Sequence, residues 1–269
     1  MNVSQREKVD VGALQPLSRS RHVGWYWRRA PDFKFALGRV LVPITVAELP
    51  RAAGAFPLVM QPLAGAASSG LFALLGLTPD RNVFIDRQGR WRGGYIPAQI
   101  RGYPFQMAAT ADGQFVACVD ESAEVLSQDP GAGEPLLDAQ GAPTPAVREV
   151  LKFLDGMARQ VRVTHAVCKA LWDQQLLEPW APFLPSAGSG HRVQGLYRVN
   201  ENALQKLAPE GLAQLRDHEA LKLAYAAILS QSHTQGLQER YHALEKQRAA
   251  DVGDWFEREQ SDWSFDFDQ

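Results

Sequence analysis

"TPAVREVLKFLDGMARQVRVTHAVCKALW", residues 144–172, is where the chain changes its hydrophobic period. Val147, Val150, Leu151, Leu154, Met157, Ala158, Val161, Cys168, Leu171 and Trp172 recur at spacings of three and four, which lays one apolar stripe along a helix. Thr144 is placed to cap that helix, with Pro145 as its first residue, where a missing N–H costs nothing. His165 falls on the stripe between Val161 and Cys168, which predicts a core histidine bonded to a carbonyl. Gly156 and the β-branched run "VRVT" are the points at which the element is expected to kink or split.

Nothing upstream shares this period. Residues 33–118 are rich in Pro, Gly and aromatics, and they break into short candidate strands: "FKFALGRVLVPI", "PLVM", "NVFID", "GYIPAQI", "YPFQMAA" and "QFVACVD". "DRQG" (86–89) and "ADG" (111–113) are hairpin turns, because Gly accepts positive φ cheaply. "ELPRAAGAF" and "GLFALLGL" are expected as short helices between strands. Downstream, "LEPWAPFLPSAGSG" ends the long helix in a loop, and "VQGLYRVN" is a strand with Asn200 capping the next helix. Residues 201–233 hold two or three helices broken at Pro209 and near Asp217. The expected class is therefore α+β: an irregular, mainly antiparallel N-terminal sheet region packed with a mainly helical C-terminal half. The divisions are an arm at 1–13, a β-rich region at 14–142, a mainly helical region at 143–245 and an acidic-aromatic tail at 246–269. Residues 14–245 forming one domain is the alternative. The tail has no stable period and is expected to be mobile or to dock as a short linear segment.

The 269 residues suffice for a sizeable core, and a hydrophobic share of 45% with 22% charged residues argues against wholesale disorder. A formal charge of −2 argues against a nucleic-acid partner. Arginines outnumber lysines by 21 to 7, which reflects either fixed ion pairs and anionic ligands or a GC-rich coding bias. Two cysteines, Cys118 and Cys168, support neither a disulfide framework nor a thiolate metal site. No run is long and apolar enough to span a membrane and no leader peptide is evident, so a soluble, cytoplasmic protein is expected.

Standard chemical signatures are missing: there is no GxGxxG, P-loop, HExxH, GxSxG or EF-hand loop. The six histidines, His22, His165, His191, His218, His233 and His242, contain no close metal-binding pair, so no metal and no cofactor are predicted. Glu48, Asp86 and Asp120 each adjoin an apolar run, and two carboxylates sharing a cleft would make an acid–base pair. Turn initiation is the more economical role for Asp86.

Two aromatic-rich stretches remain. "RSRHVGWYWRR" (19–29) sets Trp25 and Trp27 among arginines, either as a stacking surface for a ligand or as aromatics tucked against the sheet. "GRWRGGYIPAQIRGYPF" (89–105) places Pro97 and Pro104 where neither fits a fully paired strand, so it is expected as two irregular edge strands. Such an edge frames a groove for an extended peptide. Trp91, Tyr95, Arg101, Tyr103, Phe105, Trp25 and Trp27 are the candidate ligand-binding residues. Arg101 is expected to hold either a ligand carboxylate or a core-facing Asp or Glu.

"LLGLTPDRNVFIDRQGRWRGGYIPAQIRGYPF" resembles the central signature of the bacterial SapC family, through Leu75-Gly76-Leu77, Asn82, Phe84, Asp86, Gly89, Trp91, Tyr95, Pro97, Arg101, Pro104 and Phe105. "ACVD" and "LLDAQGAPT" are similar to the next landmarks, with Leu137 in place of Phe. "GLYRVNENALQKL" and "EALKLAYAAILS" resemble the C-terminal block, with Asn200 in place of Asp. The likeness spans roughly residues 14–244. It implies a link to secretion of surface-layer protein, in the company of genes for outer-membrane receptors, flavin halogenases and cupin-like oxygenases. It implies no catalytic residues, and it is distinct from a peptide-transporter permease of the same name. The expected function is a non-catalytic binding or accessory protein for a peptide or glycan linked to surface-layer export or uptake. A metal-dependent, oxygenase-like peptide-modifying enzyme and a self-associating structural subunit are the alternatives.

Overall fold

A computed structural model describes residues 14–63, 68–79, 81–110, 114–182 and 193–262, with side chains to residue 248. The chain is α+β, as the change of period predicts. Its strands are β1 (Leu14–Pro16), β2 (Tyr26–Trp27), β3 (Leu41–Pro43), β4 (Leu58–Pro62), β5 (Ser69–Leu74), β6 (Phe105–Ala109), β7 (Phe115–Asp120), β8 (Leu126–Ser127), β9 (Glu134–Pro135), β10 (Leu177–Trp180) and β11 (Leu196–Val199). All pair antiparallel, in three sheets: β10-β11-β4-β5-β3, β1-β7-β6 and a small β8-β2-β9. The helices are α1 (Arg19–His22), α2 (Leu49–Ala52), α3 (Ala98–Arg101), α4 (Pro145–Asp173), α5 (Glu201–Gln205), α6 (Pro209–Asp217), α7 (Ala220–Ser230) and α8 (His233–Asp262).

Helix α4 organises the molecule. Its 29 residues run unbroken for about 43 Å through Gly156 and Val161–Thr164, so the expected kink is absent. A side chain is not needed at Gly156, which has open space around it. One part of the stripe, with Cys168 and Leu171 fully buried, packs into the main core beside β5 and α7. Val147 and Leu154 pack instead with Phe105 and Val119 of the β1-β7-β6 sheet and with Trp27. Thr144 stands at the N-cap as expected, but its hydroxyl donates to the Pro135 carbonyl at 2.9 Å rather than capping its own helix. His165 is exposed, and Thr164 takes the buried place instead. The hydroxyl of Thr164 donates to Gln160 O (2.8 Å) and accepts from Val46 N–H (3.0 Å), two bonds that satisfy a polar group in the interior.

The second half of the chain also completes the large sheet. Strands β10 and β11 add to the free side of β4, with Tyr197 opposite Met60. Residues 177–180, expected as loop, therefore form a strand. Ser230 at the end of α7 accepts from Leu58 N–H at 2.9 Å, which ties the helical part to β4. The main core accordingly draws on residues from Ala36 to Leu244.

Other expectations change in the fold. "GLFALLGL" supplies the strand β5, flanked by β3 and β4, because both of its faces are covered and a continuous apolar run suits that place. "NVFID" reaches only a single bridge, Ile85 to Trp91, although the Asp86–Gly89 turn closes as predicted, with Gly89 at φ +78°. "YIPAQIRGYPF" is not a pair of edge strands: Ala98–Arg101 form one helical turn and strand structure begins at Phe105. The "ADG" turn lies outside the described residues. Asn200 caps α5 by accepting from Ala203 N–H at 2.9 Å, and breaks near Pro209 and Asp217 separate α5, α6 and α7. Residues 246–262, expected to lack a stable period, continue α8 to Asp262. No described helix is long and apolar enough to cross a membrane.

Candidate functional site

The site begins with a single tight turn, Val46–Glu48, capped by Thr45. Thr45 to Glu48, in "TVAE", fold as a capping box in which Glu48 Oε2 accepts from Thr45 N–H at 2.9 Å. The other oxygen of Glu48 accepts from the Tyr95 hydroxyl (2.9 Å) and from Ala98 N–H (2.8 Å), the first amide of α3. Thr45 Oγ1 lies 3.2 Å from Oε2 as well. Glu48 is thus buried with both oxygens engaged, which is what allows a carboxylate to sit in an interior. The Tyr95 hydroxyl in turn accepts from Arg101 Nη2 at 3.2 Å, while Arg101 Nε donates to Ile96 O at 3.0 Å. Arg101 also lies 4.6 Å over the Phe153 ring of α4. Arg101 therefore reaches a core carboxylate through the Tyr95 hydroxyl, not by a direct ion pair. Burial, then the charge and hydrogen bond of Glu48, push the Tyr95 phenol up to about 12, against the opposing influence of Arg101.

Glu48 lies in the wall of a cavity of about 360 Å³ between α4 and the edges of the two larger sheets. Ile44, Leu71, Phe72, Phe105, Met107 and Val161 give it a mainly apolar surface, and Gln99, Gln106 and His165 are the polar groups nearest its mouth by exposure. Although His165 is exposed as a whole residue, desolvation where it lines the cavity lowers its pKa, which keeps that ring neutral over a wider range.

One wall is an open strand edge. Leu17 N–H bonds to Ala117 O, so Ala117 turns its main-chain groups toward β1. By alternation Cys118 and Val116 bond to Gln106 and Ala108, and Met107, opposite Ala117, turns its N–H and C=O away from β7. No main-chain partner takes those two groups among the described residues. Gly102, which ends α3, lets that turn approach α4 closely: a Cβ there would stand 2.6 Å from Leu154 Cδ2.

The seven residues singled out from the sequence do not converge. Phe105 is fully buried and lines this cavity. Tyr95 and Arg101 stand behind its wall through Glu48. Trp91 is half-buried, stacks with Phe84 at 5.9 Å and donates its ring N–H to Tyr95 O at 2.8 Å. Tyr103 stacks on Phe35 at 3.8 Å and lines a separate cleft with Asp120. Trp27 is buried edge-on to Phe105 at 5.1 Å, and Trp25 packs beside it near His22. The three carboxylates, Glu48, Asp86 and Asp120, line three different clefts. Among the described residues no group of three His, Cys, Asp or Glu side chains is placed to hold a metal ion; His191 lies outside them. Sequence reasoning missed Met107, Val161 and Thr45. Only the last carries a local signal, the spacing of Thr and Glu in a capping box.

A SapC sequence profile matches residues 17–237, which takes in all of this site. The chain belongs to the SapC family. No curated protein and no solved structure matches it significantly. The match takes in Tyr95 and Arg101, which stand behind the cavity wall, and the whole of the helix that roofs the cavity.

Proposed function

We propose that this SapC protein is a non-catalytic peptide-binding protein, taking an extended segment along the edge of β6 with one large apolar side chain in the cavity. The observation that carries the reading is that the Met107 main chain, which has no main-chain partner among the described residues, coincides with the apolar cavity that Met107 lines. Main-chain pairing supplies affinity in strand addition, and a pocket for alternate side chains supplies selectivity. A mainly apolar surface of this size suits a Leu, Met or aromatic side chain better than a glycan, which needs aromatic faces presented to solvent. Glu48 supports binding over reaction, because donors from Thr45, Tyr95 and Ala98 already occupy its oxygens. The SapC link to surface-layer secretion makes a segment of an exported envelope protein the natural source of ligand.

Panning a display library of short random peptides against the purified chain tests this. Selected peptides should carry a large apolar residue in an extended context. Val161→Trp, which narrows the cavity, and Met107→Pro, which removes the edge N–H, should each weaken binding at least tenfold while the far-ultraviolet circular dichroism stays unchanged. Failure to select any peptide, or peptides whose binding survives both substitutions, would remove the reading.

A further inference from the structure

A second cleft, of about 470 Å³, lies between the Asp86–Gly89 hairpin and α8, away from the cavity under α4. Arg87, Arg90, Arg92 and Arg240 line it, with Asp86 the one carboxylate among the described lining residues, over an apolar floor that includes Ile85 and Leu244. Asp86 organises two of them. Its Oδ2 accepts from Arg90 Nε (2.9 Å) and Arg92 Nε (2.8 Å), which fixes both guanidinium groups side by side. Arg90 spends one further nitrogen on Gln88 Oε1 at 3.1 Å. The terminal nitrogens of Arg92 have no partner among the described residues, and Arg240 Cζ stands over the Phe84 ring at 4.8 Å. The groove therefore offers fixed, outward-facing guanidinium groups next to apolar side chains. It suits a strand of chain that alternates acid with aromatic.

The chain carries such a segment at its own end. "DWSFDFDQ", residues 262–269, sets Asp262, Asp266 and Asp268 among Trp263, Phe265 and Phe267. We propose that the arginine groove receives this segment from a second copy of the chain. Helix α8 carries the segment away from the groove of its own copy. Arg240 lies on α8 about 33 Å before Asp262 at the helical rise, beyond the ~25 Å that the seven residues after Asp262 span, and a fully extended reversal reaches only Gln247 at the groove's near rim, about 22 Å away. Each copy has one groove and one terminal segment, so two copies exchanging segments form a closed pair.

Sedimentation equilibrium of the full chain tests this at ~50 mM and ~500 mM salt, since paired surface charges weaken as ions screen them. A two-chain mass at low salt that falls at high salt is the expected result. Arg240→Glu should be a single chain at low salt, and so should the triple variant Asp262→Lys, Asp266→Lys, Asp268→Lys. Mixing the two variants should restore the two-chain mass, because each then offers the charge the other lacks. A wild-type protein that stays a single chain at low salt overturns the proposal. So does a two-chain mass that neither variant changes, or a mixture that fails to reassociate. A poly-glutamate peptide that dissolves the pair as effectively as a synthetic 254–269 peptide would make the groove a general anion site and would equally overturn it.

Discussion

Glu48 is a charge-bearing group in an apolar wall, and its neighbours determine whether the wall holds. Tyr95 is the neighbour whose state can be changed by pH. The unfolded chain releases a tyrosine proton near 10, whereas the folded chain keeps that of Tyr95 to about 12. Between those values the unfolded state binds fewer protons, so stability falls as pH rises from 10 through 12. Tyr95→Phe should cost about 2 kcal/mol at neutral pH, the worth of a hydrogen bond to a carboxylate. It should also lose this alkaline slope. Urea midpoints for both proteins at about pH 7, 9 and 11 measure the two effects, and the gap between the proteins should narrow as pH rises. Equal stability at pH 7 would mean that the hydroxyl does not support the wall. Asp86 works in the opposite direction. Despite desolvation, hydrogen bonds from Arg90 and Arg92 hold its pKa at about 2, so its contribution is present above the ordinary carboxylate range and is lost as pH falls through 2.

At the scale of elements, α4 and its contact with α3 give opposed expectations for two glycines. Gly156 lies inside a helix with nothing within 4 Å of where a Cβ would be, so Gly156→Ala should stabilise by roughly 0.4–1 kcal/mol through the unfolded chain. Gly102→Ala would press into Leu154 and the Phe105 carbonyl and should destabilise by about 1–3 kcal/mol. Thermal unfolding of the two variants separates these signs. The same elements show what a linear reading reaches. The α4 stripe was legible because a long amphipathic period has one solution, and Asn200 was legible because capping is local. "GLFALLGL" was not, since eight apolar residues have no period that separates a helix from a strand covered on both faces. "LEPW" was not, because its pairing depends on β11 lying beside it across a loop.

At the scale of the whole molecule, the cavity was the least legible feature. It forms where residues near 44, 71, 105 and 161 meet, and no one of those stretches carries a mark of the meeting. Of the aromatics that drew attention, Trp27 belongs to the smaller core and Trp91 packs against the main one. α4 joins the two larger sheets, and each side of it carries a thiol. Cys168 is fully buried in the main core, where burial raises its pKa to about 12, and Cys118 is buried on β7 with its pKa also raised. Burial disfavours the reactive thiolate at both positions in the folded chain. An alkylating reagent added to the native protein therefore acts as a clock for opening, with one hand in each part. Mass spectrometry of samples quenched over time reads both hands. Equal rates at Cys118 and Cys168 would date a single concerted opening, and earlier loss of Cys118 would show the β1-β7-β6 sheet peeling from α4 while the five-stranded sheet stays shut.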